Sequence, residues 1–274
     1  MRSGKRWYRK FVFDRPAEEV ERIVAESSDP ESYSHTPLAG PYTPADTADL
    51  VGKTLNFGGE ERSFTFRFTA LNELWFGEAE KEEKCCFCNV KTMDGELYFV
   101  NFLVPGYARS RQVTLVADLK TGCATVCDAT IGTPNSNIDV DHEFFFGRLE
   151  GEFEGGELHG FTSELVGKAV TWTYSPNIIK IKHIYHSNLY YTYMAKTDGA
   201  GLWMACNPAD YVKIRDNVFL FSFIEERQVG TQALFLLDLN RMHDVGCFYG
   251  AGSGKLTSAC LGAIGEASDP MTIV

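Results

Sequence analysis

Ser163 to Met194 reads S-E-L-V-G-K-A-V-T-W-T-Y-S-P-N-I-I-K-I-K-H-I-Y-H-S-N-L-Y-Y-T-Y-M. Within it Lys180 and Lys182 alternate with Ile179, Ile181, His183 and Tyr185, the period of two that marks a half-buried strand. With the lysines directed at water, His183 and Tyr185 face inward beside the isoleucines. His186-Ser187-Asn188 supplies a turn, and Leu189 to Met194 returns as a second, aromatic-rich strand. Tyr191 and Tyr193 share one side of that strand and Tyr190 takes the other. An imidazole and phenols turned into one apolar interior describe a lined pocket.

The same stretch holds Leu165-Val166-Gly167-Lys168, which repeats Leu50-Val51-Gly52-Lys53. Asn217-Val218-Phe219-Leu220-Phe221-Ser222-Phe223 echoes Glu96-Leu97-Tyr98-Phe99-Val100-Asn101-Phe102, and Phe235 to Leu239 echoes Leu115 to Leu119. Echoes in one order at similar separations mean two copies of one β unit. Ser63 to Thr69 alternates Phe64, Phe66 and Phe68 with Thr65 and Arg67, while Asp94-Gly95 and Lys120-Thr121-Gly122 carry hairpin-turn chemistry. The expected fold is all-β: duplicated antiparallel barrels, with a pair of packed sheets as the alternative. Residues 1–150 would hold a helix, a loop and the first barrel, and residues 151–274 a connector and the second.

Asp14-Arg15-Pro16 before Ala17–Ala25, with apolar Val20, Ile23 and Val24, predicts a short amphipathic helix that packs on a barrel or covers one end. Ser27 to Asp49 reads as a loop that brings Tyr33, His35 and Tyr42 within reach of a pocket. Phe144 to Gly160 reads as an acidic, glycine-rich connector, and Asp139, Asp141, His142 and Glu143 as a solvated acidic run. Beyond Gly250 a glycine-rich loop and a short closing segment are expected.

A hydrophobic fraction of 44% supports a sizeable core, and 20 Phe and 12 Tyr against 4 Trp favour pleated surfaces. A net charge of −11 disfavours nucleic acid and anionic membrane surfaces. The basic Met1–Arg6 start lacks the apolar core of a signal peptide, and no stretch approaches the roughly 18 apolar residues of a membrane span. The eight cysteines then point to a reducing cytoplasm rather than a disulfide framework. Cys85-Cys86-Phe87-Cys88 holds one C-x-x-C, but Cys123 and Cys127 have the wrong spacing for a second pair, so no metal or other cofactor is expected. Gly250 to Lys255 lacks Walker spacing, and Rossmann and Gly-x-Ser-x-Gly patterns are missing, which disfavours hydride transfer and serine hydrolysis.

Tyr174-Ser175-Pro176, His183-Ile184-Tyr185, Asp210-Tyr211-Val212-Lys213-Ile214, Phe219-Leu220-Phe221 and Leu237-Asp238-Leu239 together resemble the MoaF family, named after molybdenum cofactor biosynthesis protein F. The resemblance is densest from Glu164 to Gly250 and implies a duplicated calycin-like (lipocalin-like) barrel. It also aligns Glu226 with the family's carboxylate, although Phe223-Ile224-Glu225-Glu226-Arg227 stands where a Trp-Arg-Glu-Lys-like run is expected.

His183 is the leading candidate for a general base, Tyr185 for an acid or orienting group, and Glu226 for their electrostatic partner. Tyr191, Tyr193, Tyr211, Phe221, Phe223 and Arg227 are the candidate ligand-binding residues, with plain aromatic packing the competing role. Strand parity groups Glu225, not Glu226, with Phe219, Phe221 and Phe223. Arg109 and Arg111 bracket a turn where an inward guanidinium would attract an anion, whereas Arg67 is expected to face outward. The first copy's counterpart of His183 falls near Arg67 and Phe68. These residues support a cofactor-independent lyase or isomerase acting on a small aromatic or conjugated molecule. A non-catalytic carrier or sensor and a structural adaptor are the alternatives, and a homodimer is left open.

Overall fold

The computed structural model describes residues 14–26, 40–105, 110–176, 179–197, 201–226, 230–251 and 256–272. The first unit contains β1 (Thr54–Gly59), β2 (Ser63–Ala70), β3 (Glu73–Glu78), β4 (Lys81–Lys84), β5 (Cys86–Thr92) and β6 (Leu97–Val104). It is completed by β7 (Arg111–Asp118), β8 (Cys123–Thr133) and β9 (Ser136–Leu149). Strands consecutive in the chain pair antiparallel except β4 with β5, and β9 pairs back onto β1. At Cys85 the chain passes from β4, paired with β3, to β5, paired with β6; Cys85 N donates to Leu74 O at 2.9 Å across the bend.

The second unit repeats this plan. After the two-residue β10 (Gly160–Phe161) come β11 (Ala169–Ser175), β12 (Ile179–Ile184), β13 (Tyr190–Thr197) and β14 (Gly201–Arg215). Then follow β15 (Val218–Ile224), β16 (Thr231–Asp238), β17 (His243–Gly250) and β18 (Thr257–Ala267). Pairing of β18 with β11 and of β14 with β15 closes an eight-stranded ring. The fold is therefore a duplicated antiparallel up-and-down barrel, compatible with the calycin-like expectation.

The Leu-Val-Gly-Lys repeat sets the register of the copies. Gly52 and Gly167 sit at φ 81° and 89°, a left-handed conformation that suits glycine. Their N–H groups donate to Phe68 O and Tyr185 O at 2.8 and 2.7 Å. Phe68 is thus the counterpart of Tyr185 and Phe66 of His183, a correction of one residue to the Arg67–Phe68 alignment. Thr47 N→Val90 O and Thr162 N→Tyr211 O, at 2.9 and 3.0 Å, extend the match upstream.

The barrels meet through β6–β8 of the first and β14–β17 of the second, where Phe99, Val116, Leu220, Leu234 and Val245 form part of one buried cluster. The contact has a pseudo-twofold character. Gln112 Nε2 donates to Cys247 Sγ at 3.4 Å, and its counterpart Gln232 approaches Cys127 Sγ at 3.8 Å. Helix α1 (Ala17–Glu26) seats Ile23 in a cluster drawn from both barrels, including Leu103, Ile131, Ile224 and Tyr249, so it covers their seam and not one barrel's end.

Several expectations need correction. Lys182 does not face water: it is 1% exposed, and its ammonium donates to Asp269 O and Thr272 O of the C-terminal segment folded over β12. Asp139 to Leu149 is not connector but part of β9, with Asp139 buried and His142 Nε2 3.1 Å from Asp210 Oδ2 of the second barrel. The short closing segment is the 11-residue β18. Tyr33, His35, Arg109 and residues 252–255 lie outside the described residues. Tyr42 lies on the outer wall of the second barrel, its carbonyl accepting from His243 Nε2 at 2.8 Å.

The first ring closes through a narrow contact in which Gly59 opposes Gly147. A Cβ at Gly147 would stand 2.2 Å from Gly58 O, whereas one at Gly160 would meet nothing within 4 Å. Gly147→Ala should therefore cost about 1–3 kcal/mol in urea unfolding, and Gly160→Ala no more than about 0.5 kcal/mol. Equal midpoints for the two variants would contradict this account of ring closure.

Candidate functional site

Alternation along β12 to β15 turns His183, Tyr185, Tyr191, Tyr193, Tyr211, Phe221 and Phe223 into the second barrel, all of them buried. Tyr190, on the opposite parity, is 38% exposed. The rings contact one another: His183 lies 5.1 Å from Tyr191 and 5.6 Å from Phe221, while Tyr185 lies 5.3 Å from Phe221 and 5.9 Å from Tyr211. Seven of the predicted site residues thus come together.

A hydrogen-bonded chain runs through them. Trp172 Nε1 donates to Tyr185 Oη at 3.4 Å, and Tyr185 Oη lies 3.4 Å from His183 Nδ1. Indole can only donate, so the phenol oxygen accepts from Trp172, and its other lone pair and its proton allow either tautomer of His183 at Nδ1. When the phenol donates to Nδ1 the imidazole proton falls on Nε2, and the imidazole ring itself lies among those of Tyr191, Phe221 and Phe223. Asn207 Nδ2 donates to Tyr191 Oη at 3.4 Å, and Tyr193 Oη to Glu225 Oε1 at 3.4 Å. Deeper in the wall Tyr174 Oη donates to Asp244 Oδ2 at 3.1 Å.

Burial dominates the electrostatics. It lowers His183 to about 3, so the imidazole is neutral at physiological pH. It raises the Tyr185 and Tyr191 phenols, the latter further through the nearby Glu225 charge. Burial also pushes the Asp244 carboxyl well above the usual carboxylate range, against the pull of the Ala263 N–H and the Tyr174 hydroxyl. A desolvated His183 is a poor base at pH 7 but an effective neutral hydrogen-bond donor, able to polarise a carbonyl oxygen.

The first barrel has the same frame with different contents. Phe66, Phe68, Leu74, Phe76 and Val90 occupy the positions of His183, Tyr185, Tyr191, Tyr193 and Tyr211, and all are buried in an apolar cluster. Its inward cation, Arg111, is neutralised by Asp128 Oδ2 at 2.6 Å and Glu78 Oε2 at 2.9 Å. Arg67 faces outward as expected, in a two-pronged pair with Glu82.

Glu226 stands outside the cluster: its side chain is exposed, and its backbone N–H donates to Asn207 Oδ1 at 3.0 Å. Glu225 is the carboxylate in contact with the interior, as strand parity indicates. Arg227 lies outside the described residues. Trp172, Tyr174, Asn207 and Asp244 were missed. The alternation of Val170, Trp172 and Tyr174 with Thr171 and Thr173 would have found the first two, but nothing local marks Asn207 or Asp244. Among the described residues no three His, Cys, Asp or Glu side chains form a metal-binding group, and no helix is long and apolar enough to cross a membrane.

Residues 40–133 match the MoaF N-terminal domain and residues 159–269 the MoaF C-terminal domain. Over 128 residues the chain is 30% identical to Protein MoaF of Klebsiella aerogenes, a match covering 45% of this chain and 47% of that protein. The matched segment spans about half the length of that curated relative.

Two buried histidines give a signed pH dependence. His183 and His159 are lowered by burial to about 3 and about 4, whereas an unfolded imidazole titrates near 6.5. The unfolded chain therefore binds more protons below pH 6.5, and stability falls as pH drops. His183 alone should account for a loss of roughly 2 kcal/mol between pH 7 and pH 5. Urea unfolding of His183→Phe at pH 7, 6 and 5 should show a slope shallower by about one proton; an unchanged slope would place the imidazole in water.

Proposed function

Because the chain belongs to the MoaF family, we propose that its second barrel, which falls within the C-terminal-domain match, is a binding chamber for a small, flat, neutral aromatic or conjugated molecule carrying a carbonyl oxygen. The observation that carries this reading is the contrast between the copies. Where the first barrel closes its interior with Phe66, Phe68 and Leu74, the second buries His183, Tyr185 and Tyr191. An incompletely bonded buried polar group costs about 1–3 kcal/mol, a penalty that the apolar residues of the first copy avoid. The Nε2–H of His183 and the Tyr191 hydroxyl are the groups set to receive a ligand oxygen, with the surrounding rings supplying apolar contact.

A carrier or sensor fits this geometry better than the expected base-driven lyase or isomerase. His183 is too weak a base at neutral pH, and Glu226 does not reach the interior. Catalysis remains a second reading on one observation: Tyr193 Oη meets Glu225 Oε1, which brings a carboxylate to the edge of the cluster. In that reading Glu225 moves the proton while neutral His183 and Tyr191 stabilise the charge developing on the carbonyl oxygen.

The test is titration of the full chain with phenolic, enone and conjugated-acid compounds, followed by NMR and then by mass spectrometry after prolonged incubation. Neutral carbonyl compounds should bind more tightly than the acids, whose charge would be desolvated. His183→Phe should weaken binding about tenfold, the worth of one hydrogen bond. Ligand recovered unchanged supports the carrier, and product from wild type alone supports the lyase or isomerase. Equal binding by wild type and His183→Phe would overturn the chamber.

A further inference from the structure

The ladder between β13 and β14 ends at Tyr190↔Pro208, and β10 takes the same edge of β14 further along, at Val212 and Lys213. Between the two pairings the barrel wall is notched by a cleft of about 290 Å³, bordered by Thr162, Ser163, Asn188, Asp210 and Tyr211. One backbone bond flanks it on each side, Ala209 N→Leu189 O at 2.9 Å and Thr162 N→Tyr211 O at 3.0 Å. Tyr211 belongs to both spaces. Its ring stacks on Phe221 at 5.6 Å inside the barrel, and its hydroxyl donates to Tyr190 O at 3.2 Å, tying β14 to β13 across the notch.

At the equivalent place in the first barrel a side chain bridges the strands. There Asp46 precedes Thr47, accepts from Val90 N at 3.0 Å and pairs with Lys91 Nζ at 3.0 Å. Phe161 replaces Asp46 in the second copy, and it packs edge-on against Phe144 and Phe146 of β9.

We propose that this cleft is the portal of the second barrel and that Tyr211 is its gate. The proposal rests on the reading that the second barrel binds a ligand. Swinging the Tyr211 ring outward breaks one hydrogen bond, gives up the ring contacts with Phe221 and Tyr185, and opens a path past Tyr185 to Trp172 and His183. The wall opens there because the ladder is already interrupted, so passage requires no strand pair to separate. A small, flat molecule fits a passage at the lower end of ligand-pocket volumes.

Solvent exchange of the Trp172 indole N–H, followed by NMR on the full chain with ¹⁵N-labelled tryptophan, reports access to the interior without any ligand. Tyr211→Ala should speed exchange tenfold or more, and Tyr211→Phe, which keeps the ring but loses the tie to Tyr190, by a smaller factor. Phe235→Ala, which removes a ring from β16 on another part of the wall, should leave exchange within about twofold of wild type once corrected for global stability. Equal acceleration by Tyr211→Ala and Phe235→Ala, or none by either Tyr211 variant, would overturn the portal. Failure of the binding reading is distinguishable: no compound would shift the wild-type spectrum, whatever the exchange rates.

Discussion

Rolling strands into a small barrel leaves an interior little wider than the inward side chains themselves. That constraint gives every inward residue its meaning, because each position must be filled by the chain or by something the chain binds. The first barrel meets the constraint with Phe, Leu and Val and leaves its rings to pack on one another. The second meets it with phenols, an indole and an imidazole joined by long hydrogen bonds. Duplication supplies the comparison within one molecule: the same frame and register, lined by phenols and an imidazole in one copy and by hydrocarbon rings beside an ion-paired Arg111 in the other.

The fold was largely legible because barrel strands write their burial as a period of two, and because the Gly-Lys turn recurs where glycine's left-handed backbone is needed. What escaped was long-range. Lys182 obeys the alternation expected of an outward residue, yet the C-terminal segment covers it, and no local pattern announces a segment that returns from far along the chain. Asp139 and His142 look solvated by composition but belong to a long strand against the other barrel. At the site, parity placed Tyr191, Tyr193 and Glu225 on the interior side, where the structure has them, whereas alignment to a family-like motif drew attention to the exposed Glu226. Asn207 and Asp244 gain their roles from neighbours across the sheet, information that a single strand does not contain.

The seam between the barrels explains why two units occupy one chain. Reciprocal contacts of Gln112 with Cys247 and Gln232 with Cys127 have the form of a twofold dimer interface, here made within a single chain. The seam is also polar in part: Ser258 Oγ donates to Gln112 Oε1 at 2.9 Å, and Gln232 Nε2 to Ser222 Oγ at 3.1 Å. Arg215 adds a charged clasp with Asp118 at 2.7 Å. Helix α1 adds to the junction through Ile23, which packs against residues of both barrels.

The central claim is that the second barrel holds a desolvated, neutral imidazole whose Nε2 proton faces the interior. Histidine ¹⁵N NMR of the wild-type chain, assigned with His183→Phe and recorded from pH 8 to pH 5, measures this directly. The account predicts that His183 stays neutral throughout, with an accepting Nδ1 and a protonated Nε2. Titration of His183 with a midpoint near 6.5, or a proton residing on Nδ1, would contradict it.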